Sequence, residues 1–387
     1  MTYFDNAATS WPKPEAVPAA MTRFLREVGA NPGRSGHALS IEAGRVVYDV
    51  RERVARLFGH PDPLSVVFTK NATEPLNIAL QGLLAPGDHV VTSVMEHNSV
   101  LRPLRYLESR GVAVTRVACA ADGTLDPADV ARALAPKTRL VVLSHASNVV
   151  GTLCPLAEVG RLAEERGVPF CVDAAQTAGA VPLDMRSMHI DLLAFTGHKS
   201  LYGPQGTGGL CVGERVRDKL RPLAYGGTGS ASDSDVHPDF LPDRLEAGTL
   251  NAVGPAGLGA GLAFVEARGV AAIRAHEAML TARLLDGLQA IPGVRILGPG
   301  DAARQTAVVS FNLDGRSCSE VASALEERAG ICCRAGLQCA PLAHRQLGTF
   351  PEGTVRFSLG AFNREEELDT ALAVLRELAG EGKGGSL

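Results

Sequence analysis

Between Ile41 and His60 the apolar residues Val47, Val50, Val54, Leu57 and Phe58 recur at the three-and-four spacing of one helix face, which predicts an amphipathic helix. Short β-branched runs then alternate with helical stretches. SVVFT at 65 precedes the helical EPLNIALQGLL, HVVTS at 89 precedes a helix near Val100 to Ser109, and VAVTRV follows at 112. RLVVLSH at 139, a helix around Leu156 to Arg166, VPFCVD at 168 and DLLAFTG at 191 continue the series. Such alternation predicts an open α/β layer with a mostly parallel sheet covered by helices.

Beyond about residue 255 the pattern changes to one long helix from Pro255 toward Ala290, then TAVVSFNL, a helix near Ser319 to Arg328, TVRFSL and a terminal helix to Ala379. These elements predict a smaller α+β domain. The expected division is 15–254 for a large domain and 255–387, joined by the N-terminal 1–14, for the small one. The glycine-rich, acidic stretch Gly226 to Asp243 reads as a mobile loop, and GEGKGGSL at the end as a frayed tail.

A 387-residue chain exceeds the size at which single cores stop growing, which agrees with two domains. With 45% hydrophobic and 21% charged residues and a net charge of -4, the composition points to neither nucleic acid nor an anionic membrane. The opening MTYFDNAATSWPKP lacks a basic and then apolar leader, so a cytoplasmic protein is expected. The uncharged stretch Thr249 to Val265 carries four glycines and falls short of a membrane span. None of the eight cysteines forms a CxxC pair, so reduced thiols are expected.

Two nucleotide motifs fail despite abundant glycine: His198, not glycine, precedes Lys199, and Cys211 stands where a dinucleotide fingerprint needs its third glycine. The strand ends are more informative, because ligands of open α/β sheets bind beyond the carboxyl ends of the strands. SVVFT leads into Lys70-Asn71-Ala72-Thr73-Glu74 at a helix start, which suits a phosphate, although a cap by Asn71 or Thr73 would also explain it. VPFCVD delivers Asp173, a carboxylate that burial disfavours unless a cation or protonated nitrogen pairs with it. DLLAFTG delivers Thr196, His198 and Lys199 beside a glycine-rich turn, where a lysine amine can reach an aldehyde. Asn148 follows RLVVLSH and His97 follows HVVTS.

Taken together these clusters resemble the cysteine desulfurase and selenocysteine lyase group of the class V aminotransferase fold family, from YFDNAAT at Tyr3 to VRFSLGAFN at Val355. The resemblance implies a pyridoxal-phosphate transferase of fold type I: a mostly parallel sheet flanked by helices, with a smaller C-terminal α+β domain. It implies that Lys199 in TGHKSLYGPQG carries the cofactor, that Asp173 in VDAAQ pairs with its ring nitrogen, and that Gln176 bonds its ring oxygen. His97 in MEHNS would stack on the ring, Thr73, Thr196 and His198 would cup the phosphate, and Asn148 would lie near the ring hydroxyl and substrate. Thr249 in LEAGTLN would reach the phosphate of a second subunit, which implies a homodimer.

By the same resemblance Cys339 in RAGLQCAPLAH receives sulfur, lying five residues after Arg334 in a segment of small and turn residues that suggests an accessible loop. Arg356 would bind the substrate carboxylate through its planar fork. Arg334 would contact loop or substrate, and Arg34 and His37 in NPGRSGHALS would assist binding at the entrance. Leu337 and Gln338 depart from the histidines that many desulfurases carry before the cysteine, and the compact loop resembles a subgroup whose members often use a sulfur-acceptor partner. ICCRAG, with Cys332 and Cys333, reads as a buried strand.

The implied reaction converts L-cysteine to L-alanine with a persulfide on Cys339. L-selenocysteine lyase activity, or another class V lyase or aminotransferase reaction in which Cys339 is incidental, is the alternative. A non-catalytic iron–sulfur scaffold using Cys332, Cys333 and Cys339 is a second, disfavoured by the missing ligand spacings.

Overall fold

The computed structural model describes residues 1–33 and 35–381, so Arg34 and the tail residues 382–387 lie outside the described residues. In chain order the strands are β1 Thr2–Tyr3, β2 Val66–Thr69, β3 His89–Ser93, β4 Ala113–Val117, β5 Thr138–Ser144, β6 Phe170–Asp173, β7 Leu192–Thr196 and β8 Gly208–Val212. They continue with β9 Val294–Leu297, β10 Val308–Leu313, β11 Ile331–Cys332, β12 Arg334–Gly336 and β13 Thr354–Ser358.

Seven strands form the large sheet in the order β2-β8-β7-β6-β5-β3-β4. Only β8 runs against the others, pairing antiparallel with both β2 and β7. Successive side chains of a strand point to opposite faces, and here both faces are covered. On β5, for example, Val141 and Leu143 enter one core and Leu140 and Val142 the other. Helices Thr73–Leu83 and Asn98–Ser109 cover one face through Leu76, Ile78, Val100 and Leu104. Helices Ala38–Leu57, Leu156–Glu165 and Val253–Arg268 cover the other.

β8 has no strand-like side-chain signature because its sequence is GGLCV. A Cβ on Gly209 would stand 2.5 Å from the Phe195 ring and 2.7 Å from the Val67 carbonyl, so only glycine lets β2, β8 and β7 pack at this spacing.

The second sheet, β12-β13-β10-β9, is antiparallel and covers its own core with helices Val270–Gln289, Cys318–Ala329 and Glu365–Glu381. Two expectations are corrected here. The long helix from Pro255 to Ala290 is two helices meeting at 78° about Gly269, whose φ of 81° ends the first. The first buries Leu258 and Leu262 in the large-sheet core, and the second buries Leu280 and Leu284 in the small-sheet core. ICCRAG is not one strand either: β11 pairs with β1, β12 pairs with β13, and Cys333 sits at the break.

Gly226 to Asp243 carries neither helix nor strand. Gly380 and Glu381 complete the last helix rather than a frayed end, and Glu381 pairs with Arg328 at 2.7 Å. No single helix among the described residues is long and apolar enough to cross a membrane.

The N-terminal segment ties the two sheets together. Phe4 is buried in the small-sheet core, Asp5 bridges to Ser358, and Lys13 Nζ donates to the His198 carbonyl at 2.7 Å.

Candidate active site

The carboxyl ends of β2, β3, β5, β6 and β7 surround a cavity of about 220 Å³, closed on the opposite side by β12, β13 and the loop between them. It is lined by Thr73, His97, Asn148, Asp173, Gln176, Thr196, His198, Lys199, Arg334, Cys339 and Arg356, so eleven of the fourteen residues singled out in the sequence meet in one place. Arg34 lies outside the described residues. His37 caps helix Ala38–Leu57, its Nδ1 accepting from the Ser40 amide at 3.2 Å, and does not line the cavity. Thr249 lines a different, larger cavity of about 460 Å³ beyond the Thr69–Thr73 turn. Arg51 and Glu246 in that cavity pair with each other at 2.6 Å, and Lys70, Glu74 and Asp243 also line it.

Burial lowers the Lys199 amine to about 8, while the carboxylate of Asp173 pulls the other way and Arg356 and Arg334 push it further down. Asp173 is buried, and desolvation holds its carboxyl above the ordinary value; the Ala175 amide, donating to Oδ1 at 2.9 Å, opposes this. No ion pair reaches Asp173 among the described residues. His97 begins helix Asn98–Ser109, its Nδ1 accepting from the Ser99 amide at 3.0 Å. Burial, reinforced by the charge of Lys199, lowers His97 to about 4, so it is a neutral ring near pH 7.

Thr73 and Glu74 do open a helix, but Asn71 Oδ1 already accepts from both of their amides, at 2.9 and 3.2 Å. The helix start therefore offers an anion less than its sequence suggests. Thr73 Oγ1 pairs with Ser99 Oγ at 2.8 Å and Thr196 Oγ1 donates to the Thr207 carbonyl at 3.4 Å. His198 Nδ1 is buried without a partner among the described residues, and burial lowers this imidazole to about 4 as well. The Gln176 amide donates to the Ala7 carbonyl at 3.2 Å.

On the far wall Arg356 is 2% exposed. Its Nη2 donates to Asp5 Oδ1 at 2.7 Å and its Nη1 donates to the Asn148 carbonyl at 2.8 Å, while Nε has no partner among the described residues. Cys339 is exposed, with Sγ 3.9 Å from Arg334 Nη2. Its carbonyl accepts from the Asn98 amide at 2.8 Å, so the thiol loop is seated beside His97. Cys332 and Cys333 are half-buried at the β11–β12 break. Among the described residues no three His, Cys, Asp or Glu side chains are grouped to hold a metal ion.

The sequence reading missed Asp5 and Lys13. Asp5 stands in the quoted YFDNAAT, but its partner Arg356 is 351 positions away and no local pattern connects them.

Residues 2–371 match the family model of the class-V aminotransferases. The chain belongs to the class-V aminotransferase family. A protein of Methanothermobacter thermautotrophicus named "Probable cysteine desulfurase" is 38% identical over 98% of this chain and 95% of its own length. A cysteine desulfurase of Haloferax volcanii is 34% identical over 98% of this chain and 90% of its own. The solved apo structure of cysteine desulfurase from Thermococcus onnurineus matches with a TM-score of 0.92 and 35% identity, over 98% of this chain and 95% of that one. CsdA of Escherichia coli, also a cysteine desulfurase, matches at 0.87 and 30% over 98% and 94%. Class-V aminotransferases are pyridoxal-phosphate enzymes, and the fold is their fold type I: a mostly parallel sheet between helical layers.

Proposed function

We propose that this protein is a pyridoxal-phosphate-dependent cysteine desulfurase, converting L-cysteine to L-alanine while Cys339 Sγ takes the sulfur as a persulfide. The observation that carries the reading is the facing arrangement of Lys199, Asp173, Arg356 and Cys339 around one cavity. The names of its relatives agree.

The cavity suits pyridoxal phosphate: among the described residues Asp173 is a buried carboxylate that Lys199 reaches only at a distance and no ion pair satisfies, and His198 Nδ1 is a buried nitrogen without a partner. Asp173 would hold a proton on the ring nitrogen, His97 would lie on the ring face, and Gln176 and Asn148 would border the ring oxygen. Thr73, Thr196 and His198 would hold the phosphate. Thr249 would serve the phosphate of a second copy, across the Thr69–Thr73 turn that separates the two cavities, and His37 would assist substrate binding from the helix start it caps. When bound, the cofactor supplies an aldehyde and a ring that stores the electron pair left at the substrate α-carbon.

Arg356 binds the substrate carboxylate, its guanidinium held from behind by Asp5 and Asn148, and Arg334 adds positive charge at the mouth. The Lys199 amine, unprotonated in part near pH 8, takes the α-proton. A Cys339 thiolate then attacks the substrate sulfur. An S–S bond forms and the substrate C–S bond breaks. The departing electron pair stays on the β-carbon, which takes up a proton, and Lys199 returns the α-proton to the α-carbon, so cysteine plus thiol gives alanine plus persulfide. The exposed loop leaves the persulfide open to a sulfur-acceptor protein.

The test is alanine and sulfide release from L-cysteine, with added reductant, by wild type and Cys339→Ala, each checked for bound cofactor. Loss in the variant with cofactor retained is expected; undiminished turnover would end the desulfurase reading in favour of another class V reaction.

A further inference from the structure

The residue before the thiol is buried, and the proposed chemistry gives it no task. Gln338 is 4% exposed. Its Nε2 donates to the Thr354 carbonyl at 3.0 Å, its Oε1 accepts from His344 Nε2 at 2.8 Å, and its own carbonyl accepts from the Asn148 amide at 2.6 Å. His344 is fully buried and pairs through Nδ1 with Thr349 Oγ1 at 2.7 Å. Burial lowers this imidazole to about 4, so it is neutral at working pH and carries one proton. Since Nε2 faces an amide oxygen that can only accept, the proton sits there and Nδ1 accepts from the Thr349 hydroxyl. The Gln338 side chain is thus hydrogen-bonded at both its oxygen and its nitrogen.

The same two residues carry an unusual backbone. Gln338 has φ 41° and Cys339 φ 59°, two consecutive non-glycine residues in the left-handed region. Such conformations persist only where the surroundings over-determine them. Here the surroundings are the Gln338 side-chain contacts on one side and the Asn98-to-Cys339 backbone bond at 2.8 Å on the other.

We infer that Gln338 is a positioning residue: its clasp on His344 and Thr354 holds Cys339 in the left-handed conformation that turns Sγ into the Lys199 cavity. This rests on the reading of Cys339 as the sulfur acceptor, but its physical content can be measured separately.

The experiment uses the cofactor-loaded protein and three variants. Gln338→Met keeps the volume and removes the hydrogen bonds. Gln338→Gly tolerates the left-handed backbone but has no side chain to clasp. His344→Ala removes the donor from the other end. Amide hydrogen exchange over residues 337–340 should quicken about tenfold or more in all three, with the strands of both sheets unchanged. Persulfide formation from L-cysteine should fall by a similar factor in kcat, while KM stays within about threefold. Combining Gln338→Met with His344→Ala should add little to either change, because both break one unit. Wild-type kcat in Gln338→Gly, or loop exchange unaltered in Gln338→Met, would overturn the inference. A wild-type protein that forms no persulfide would overturn the desulfurase reading instead, and loop exchange would still decide the clasp.

Discussion

Raising the pH of the cofactor-free protein should switch on capture of an aldehyde at Lys199 with a midpoint near pH 8, not near the ordinary lysine value. The perturbation arises from burial, which removes water from the ammonium form and lowers the amine to about 8 against a reference of 10.5. At pH 7.5 an amine of pKa about 8 is unprotonated roughly a quarter of the time, and one of pKa 10.5 roughly once in a thousand, a difference of about two hundredfold in reactive form. The sign follows from the base form being the nucleophile: capture rises with pH and levels off above the folded-state value. The assay is the rate at which apoprotein develops cofactor absorbance with added pyridoxal phosphate from pH 6.5 to 10. Lys199→Ala identifies any slow background from other amines, including Lys13, which burial also lowers to about 8. Asp173→Asn removes a charge that favours the ammonium, so its midpoint should move down. A wild-type midpoint near 10, or an upward shift in Asp173→Asn, would refute the electrostatic account of the site.

Asp5→Asn should cost about 1.5–3 kcal/mol in urea unfolding, because it weakens a charge-assisted bond to a 2%-exposed arginine. The same variant should raise KM for L-cysteine with kcat little changed, since Arg356 loses its backing but the reacting groups are untouched. Gly209→Ala should destabilise the fold by about 1–3 kcal/mol in the same unfolding assay, through a Cβ forced against the Phe195 ring and the Val67 carbonyl.

What the sequence made legible was local. Strands β2, β3, β5, β6 and β7 are apolar runs whose ends carry Thr73, His97, Asn148, Asp173 and Lys199, and an open sheet brings such ends together by its topology alone. β8 escaped notice because close packing replaced its side chains with glycines. The kink at Gly269 was hidden because helical periodicity on either side matched two different cores. Asp5 and Lys13 act on partners 351 and 185 residues away, Arg356 and His198, and such contacts leave no trace in spacing. Gln338 was visible only as a departure from histidine, and its purpose depends on His344 and Thr354 lying beneath it. Thr249 does not line the Lys199 cavity of its own chain, so the proposed role at a phosphate requires a second copy.

The most direct test of sulfur transfer to Cys339 is to treat the cofactor-loaded protein with one equivalent of L-cysteine, without reductant, and locate the added sulfur by peptide mass spectrometry. The account predicts the mass of one extra sulfur atom on the peptide containing Cys339, in step with alanine formed. Alanine accompanied by sulfur on Cys332 or Cys333, or by no protein-bound sulfur at all, would contradict it.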